Sequence, residues 1–309
     1  MEKNILLTIE YDGSQFHGWQ KQPDRRTVQG YLECILSDIL GSRISLNGTS
    51  RTDAGVHAYG QRASFKADVR IPTERLAAVV NNTLKRRAGN PLGLPSVRIV
   101  SAEEMLEDFH ARFDAKGKKY IYRIDNSTKP DIFTRNYVYH VAQPLDIQAM
   151  NRGAELIKGK HDFKAFESSG GNPRKTTVRT IFDISVCVAF GGSSIGYGSC
   201  ESSHIRCDSA GESLGGSPVP AGRSFAGGLP AAPTDTENEK RRCSDLIEIH
   251  VAGDGFLYNM VRIITGTLVE VGKGKIPPEE VKDIVESCDR RKAGHTAPPQ
   301  GLYLAEIYY

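Results

Sequence analysis

Arg51-Thr52-Asp53-Ala54-Gly55-Val56-His57 is the stretch on which the reading of this chain turns. It sets one acidic side chain among an arginine, a glycine and a histidine, with no second carboxylate inside the heptad. A nearby guanidinium favours the ionised form of such an aspartate, which can then serve as nucleophile or base. The bland alternative is an Asx turn, where the side chain only hydrogen-bonds backbone two residues on. Ile44 to Asn47 before the heptad, and Gln61 to Phe65 after it, read as strands. The aspartate is therefore expected on a loop between two paired strands.

Working outward, Ile5, Leu7, Ile9 and Tyr11 alternate with more polar neighbours, as a strand does. Val28, Tyr31, Leu32, Ile35, Leu36, Ile39 and Leu40 fall at helical spacing, with Thr27 as N-cap and Gly41 as stop. Cys34 is read as a core residue on that helix. A second helix is expected from Thr73 to about Leu84. The order β-α-β-β-α predicts an antiparallel sheet with helices on one face. The second half repeats it: a strand over Tyr137 to Val141 and a helix capped by Asp146. Strands at Phe182 to Phe190 and Ile247 to Val251 follow, then a helix carrying Leu257, Met260, Val261, Ile264, Leu268 and Val271 inward. A short helix after Pro277-Pro278 precedes a closing strand from Leu302 to Tyr309. The fold class expected is α+β, two similar lobes over 1–108 and 109–309 with a cleft between them.

Residues 191–240 break this pattern, because nineteen of the fifty are Gly or Ser and large apolar side chains are few. Such a segment cannot bury enough surface to offset its ordering entropy, so 191–243 is read as a flexible excursion from a hairpin. The chain has 309 residues and a net charge of +3, too mild for the whole-molecule field to announce nucleic acid. Local basic clusters, such as Lys85-Arg86-Arg87 and Arg290-Arg291-Lys292, could neutralise phosphates but are each more often plain solvated surface. No apolar run approaches the ~20 residues that span a bilayer, and Met1-Glu2-Lys3-Asn4 leads straight into a strand without a signal-peptide core. The cytoplasm is the expected location. The six cysteines show no CxxC pairing. Cys200, His204, Cys207 and Cys243 match no common zinc module, so no metal is expected.

The heptad closely resembles the catalytic loop of the tRNA pseudouridine synthase A (TruA) family, and four further stretches carry the same resemblance in the same order. Tyr11-Asp12-Gly13 with Phe16-His17-Gly18-Trp19-Gln20 is similar to the family's first motif. Phe109-His110-Ala111-Arg112-Phe113 with Lys119-Tyr120-Ile121-Tyr122-Arg123 is similar to its second. Phe256-Leu257-Tyr258-Asn259-Met260-Val261-Arg262 resembles the helix bearing its active-site arginine, and Ala293 to Leu302 resembles its C-terminal loop. The resemblance implies a pseudouridine synthase fold and isomerisation of uridine to pseudouridine at tRNA positions 38 to 40. It further implies a homodimer bridged by one tRNA, and no cofactor.

By the same resemblance Asp53 is the catalytic residue and Arg262 pairs with it, although an arbitrary helical arginine would reach for solvent. Tyr120, rather than Tyr122, packs on the target base, Leu302 supplies an apolar wall, and Arg51 positions the flipped nucleotide. Lys21, Arg25 and Arg26 are the candidates for tRNA contact in a loop mixing aromatic and basic side chains. Trp19 there either meets RNA or closes the N-terminal lobe, and His57 is given only a structural role. Whether Asp53 attacks C1′, adds to C6 or takes a proton from C2′ stays open. A synthase for another RNA site, or an RNA-binding module without catalysis, stays open too.

Overall fold

A computed structural model describes residues 2–88, 94–170, 175–189 and 245–309. Its elements in chain order are β1 (Glu2–Tyr11), α1 (Val28–Leu40), β2 (Asn47–Gly48), β3 (His57–Asp68), α2 (Thr73–Arg86), β4 (Val97–Met105) and β5 (Gly117–Asp125). They continue with β6 (Tyr139–His140), α3 (Ile147–Glu155), β7 (Gly159–Asp162), β8 (Val178–Val188), β9 (Leu246–Gly253), α4 (Met260–Gly272), α5 (Glu280–Ser287) and β10 (Leu302–Tyr308). The expected excursion over 191–243 and the four zinc-capable residues lie outside the described residues. Among the described residues, no helix is long and apolar enough to cross a membrane.

The α+β class expected from the pattern holds, with a sheet dominated by antiparallel pairs. The expected two sheets, however, are one. Its strands run in the order β4-β1-β3-β10-β5-β9-β8-β7, with β2 added to β3 and β6 to β5. The seam is β10. It pairs antiparallel with β5, Leu302 opposite Tyr122, and parallel with β3, Tyr303 opposite His57. Alternation predicts where strands are but not which distant strand they meet. The expected boundary at 108/109 falls in the connection between β4 and β5.

Period-2 alternation puts Ile5, Leu7 and Ile9 of β1, Tyr122 of β5 and Val251 of β9 into a single buried cluster. That cluster also takes Leu32 of α1, Val80 of α2, Met150 of α3, Ile264 of α4 and Ile284 of α5. The helices thus share one core. Local signals place α1 as expected: the Thr27 hydroxyl accepts from the Gly30 amide, and Gly41 closes the helix in the left-handed region at φ 67°.

Three expectations need correction. Ile44 and Leu46 are buried without forming a strand, because their amides donate to Ser37 Oγ (2.9 Å) and Glu33 Oε1 (3.0 Å) of α1 instead of a neighbouring strand. Cys34 is exposed, and Glu33 beside it is the buried residue, its carboxylate held by the Leu46 amide, Gln29 and Lys21. Only Tyr139–His140 of the expected 137–141 strand pairs, since Tyr137 is held in a turn by the Thr134 carbonyl.

The opposite face of the seam carries a polar and aromatic row. His57 stacks on Tyr303 at 4.8 Å between ring centres, and Tyr303 on Tyr59 at 5.1 Å. Arg123 lies over Tyr303 and donates to Tyr59 Oη (2.7 Å) and Glu248 Oε1 (2.8 Å), while His250 Nε2 meets Glu248 Oε2 at 3.0 Å. Burial alone would raise the Glu248 carboxyl, but the bonds from His250 and Arg123 outweigh it and hold the group at about 2. A lowered carboxylate contributes stability above its unfolded value, and that contribution disappears as pH falls through the folded value. Glu248→Gln is expected to cost roughly 1.5–3 kcal/mol at neutral pH. The deficit should shrink in denaturant titrations as pH falls from about 4.5 toward 2.

Candidate active site

The heptad forms the loop that leads into β3, and residues from the chain's first motif fix its backbone. The Trp19 amide donates to the Thr52 carbonyl (3.0 Å) and the Gly55 amide to the Phe16 carbonyl (3.4 Å). Tyr11 Oη and Thr52 Oγ1 share a buried hydrogen bond of 2.6 Å. Gln61 of β3 ties down Ser50 through both amide and carbonyl. Gly18 makes the close approach possible: its φ is +82°, and a Cβ there would stand 2.6 Å from the Thr52 carbonyl oxygen.

So held, Asp53 faces Arg262 of α4, with Nη1 3.5 Å from Oδ2. The guanidinium is itself oriented by Ala297, whose carbonyl accepts from Nε (2.7 Å), and by Asn259, whose Oδ1 accepts from Nη1 (2.7 Å). Ala297 reaches the helix because the C-terminal loop lies flat against it at Gly266, where a Cβ would come within 1.8 Å of the His295 carbonyl oxygen. Burial raises the Asp53 carboxyl above the ordinary aspartate value, and the Arg262 charge and hydrogen bond oppose that rise.

The pair borders a cavity of about 590 Å³ that Tyr120 and Leu302 also line. Tyr120 is 9% exposed, its ring is edge-on to Phe256 (5.2 Å), and its hydroxyl stands 3.5 Å from Ser50 Oγ. Burial pushes that hydroxyl up to about 12, with Ser50 opposing and the Asp53 charge adding, so it is a neutral phenol at physiological pH. Tyr122 is turned to another task, donating to the Pro298 carbonyl at 2.6 Å. A second cavity of about 730 Å³ opens on the other side of the same pair, lined by His17, Gln20, Gln22 and Arg25. Arg51 borders both cavities.

Asp53, Arg262, Tyr120, Leu302 and Arg51 are therefore brought together at the first cavity, and Arg25 lines the second with Asp53, Arg262 and Arg51. Lys21 and Arg26 are not among its lining. Lys21 pairs with Glu33 at 3.0 Å, and Arg26 lies over the rings of Phe16 (4.9 Å) and Tyr31 (5.3 Å). Trp19 is 1% exposed, which leaves it the packing role. Arg112, Lys118 and Arg179 line the first cavity and were not singled out from the sequence as site residues. Arg112 and Lys118 stand in or beside the second motif, whereas nothing in the local pattern marks Arg179. Among the described residues, no cluster of three or more His, Cys, Asp or Glu could hold a metal ion.

The family described as tRNA pseudouridine synthase matches residues 7–114 and 154–309. The chain is 39% identical to the tRNA pseudouridine synthase A of Acetivibrio thermocellus, the alignment covering 99% of this chain and all of the relative. It is likewise 39% identical to the tRNA pseudouridine synthase A 2 of Clostridium perfringens over the same shares of each. The chain belongs to the tRNA pseudouridine synthase family.

Two outcomes follow from the geometry. Asp53 is an acid whose folded value is raised, so its ionisation works against the fold above that value. Asp53→Asn should then unfold at the same or a higher temperature than the parent at neutral pH, with the difference vanishing in acid; a lower melting temperature at neutral pH would contradict this. Gly18→Ala should destabilise by about 1–3 kcal/mol through its strained φ and its clash with the Asp53 loop. It should also lower turnover beyond what the loss of folded protein explains.

Proposed function

We propose that this protein isomerises uridine to pseudouridine in tRNA, at positions 38 to 40 of the anticodon arm, with Asp53 as the catalytic group. The observation that carries the proposal is the Asp53 carboxylate, the one carboxylate lining the cavity among the described residues, paired with the Arg262 guanidinium in a cleft walled by a tyrosine ring and a leucine. A cavity of this size suits a nucleotide taken out of its stack, and ring and aliphatic faces suit a flipped base. The reaction breaks the N1–C1′ bond, turns the base and rejoins it through C5. It is redox-neutral and adds nothing, so one carboxylate suffices and no cofactor is called for.

Arg262 steadies the ionised carboxylate, Tyr120 packs on the uracil, Leu302 closes the apolar wall, and Arg51 holds the nucleotide's backbone. Arg25, which lines the second groove, contacts the adjoining RNA, and Lys21 and Arg26 remain the further candidates for tRNA contact outside both cavities. We further propose that two copies act together with one tRNA bridging them, in the cytoplasm. Among the described residues Asp53 is the one carboxylate lining the cavity, whereas glycoside hydrolysis uses a pair.

Incubation with unmodified tRNA transcripts, followed by chemical mapping of pseudouridine, tests the proposal. Conversion at positions 38 to 40 is expected, and conversion only elsewhere would reassign the substrate site. Asp53→Asn should lower the rate at least about a thousandfold with the fold intact, and a variant with parental activity would leave only an RNA-binding role. Arg262→Lys should lower kcat by about ten- to a hundredfold, because an ammonium cannot keep the bonds to Ala297, Asn259 and Asp53 together.

A further inference from the structure

Arg262 makes its shortest contacts with neutral acceptors, not with Asp53. Its Nε is 2.7 Å from the Ala297 carbonyl oxygen and its Nη1 2.7 Å from Asn259 Oδ1, whereas Nη1 stands 3.5 Å from Asp53 Oδ2. Charge-assisted N–H···O bonds to carboxylates close to about 2.7–2.9 Å when nothing prevents it. Asn259 is in turn fixed. Its φ of 60° places it in the left-handed region that Asn tolerates, and its Nδ2 donates to Ser168 Oγ at 3.1 Å. With one end of the amide donating to Ser168, its oxygen is committed to Arg262.

We propose that Asn259 is a positioning residue that holds the Arg262 guanidinium short of a tight hydrogen bond to Asp53, leaving the carboxylate oxygens free for the nucleotide. This rests on the catalytic reading of Asp53 and Arg262. A neutral acceptor is what the task requires. Alanine would release Nη1 to close on Asp53 and draw on its lone pairs. Aspartate would compete for the guanidinium and set a second negative charge beside the first. The two substitutions therefore shift the field at Asp53 in opposite directions; the added carboxylate would do so whatever role Asn259 has, so the downward shift with alanine is the one a merely structural asparagine would not give.

Among the described residues, the other ionisable groups lining the first cavity with Asp53 are Arg51 from its own loop, Lys118 and Tyr120 from β5, Arg112 before it, Arg179 from β8, and Tyr258 before α4. His17 and Arg25 face it from the second groove. None of these is altered by a change at position 259.

The test measures kcat against pH on an unmodified tRNA transcript for the parent, Asn259→Ala and Asn259→Asp. Both variants should lose about tenfold in kcat with KM within about twofold. The acid limb should move to lower pH in Asn259→Ala and to higher pH in Asn259→Asp. Limbs that stay fixed or move together, or a loss confined to KM, would overturn the proposal. Should either variant fail to fold, Ser168→Ala removes only the outer tie. It should lower kcat about two- to threefold and move the limb as Asn259→Ala does, and parental kcat and limb would overturn the proposal equally. Asp53→Asn in the same assay separates the two levels. Parental activity there would refute the catalytic reading, while an inactive Asp53→Asn with unmoved limbs at position 259 would refute only the positioning role.

Discussion

A half-buried carboxylate paired with a guanidinium from a distant helix is the constraint around which the cleft is built. Removing a charge from solvent is costly, and the cost rises steeply when no partner is near. Among the described residues Asp53 makes its ion pair with Arg262, which comes from a helix some two hundred residues further along the chain. The two can meet only because β10 inserts between β3 and β5 and makes one sheet of both halves of the molecule. On the helix-covered side of that seam stand Tyr120 and Leu302. On the other side, the stacked rings and the Arg123–Glu248–His250 group hold the same strands together.

The precision of the pair is borrowed from its surroundings on both sides. The Asp53 loop has few bonds of its own and is gripped through backbone contacts to Phe16 and Trp19, with Gly18 giving the room. The guanidinium is gripped by Ala297 and Asn259, with Gly266 letting the C-terminal loop lie against α4. All five motifs thus converge physically. The first grips the loop that the heptad forms, the second supplies the ring, the helix supplies the arginine, and the last supplies its anchor and the apolar wall.

How much of this could be read beforehand depends on whether the signal was local. Helix α1 was legible because Thr27 and Gly41 satisfy its ends with neighbouring residues. Ile44 and Leu46 misled because their amides go to Glu33 and Ser37, a choice no alternation pattern records. Cys34 departs from its expected burial because a carboxylate with enough donors, Glu33, takes the buried position while the thiol one position on faces solvent. The meeting of Asp53, Tyr120, Arg262 and Leu302 was reachable only through resemblance, since periodicity says nothing about the parallel β3–β10 pairing that creates it. Arg179 and the restraint on Arg262 by Asn259 needed coordinates.

The most direct test of the Asp53–Arg262 pair is a titration of the Asp53 carboxyl by carbon NMR, with Asp53→Asn identifying the resonance. Burial outweighs the guanidinium at Asp53, so the carboxyl is expected to titrate above the ordinary 3.8, with a further rise once Arg262→Gln removes the charge. An Asp53 that titrates at or below the ordinary value and does not respond to Arg262→Gln would contradict the account.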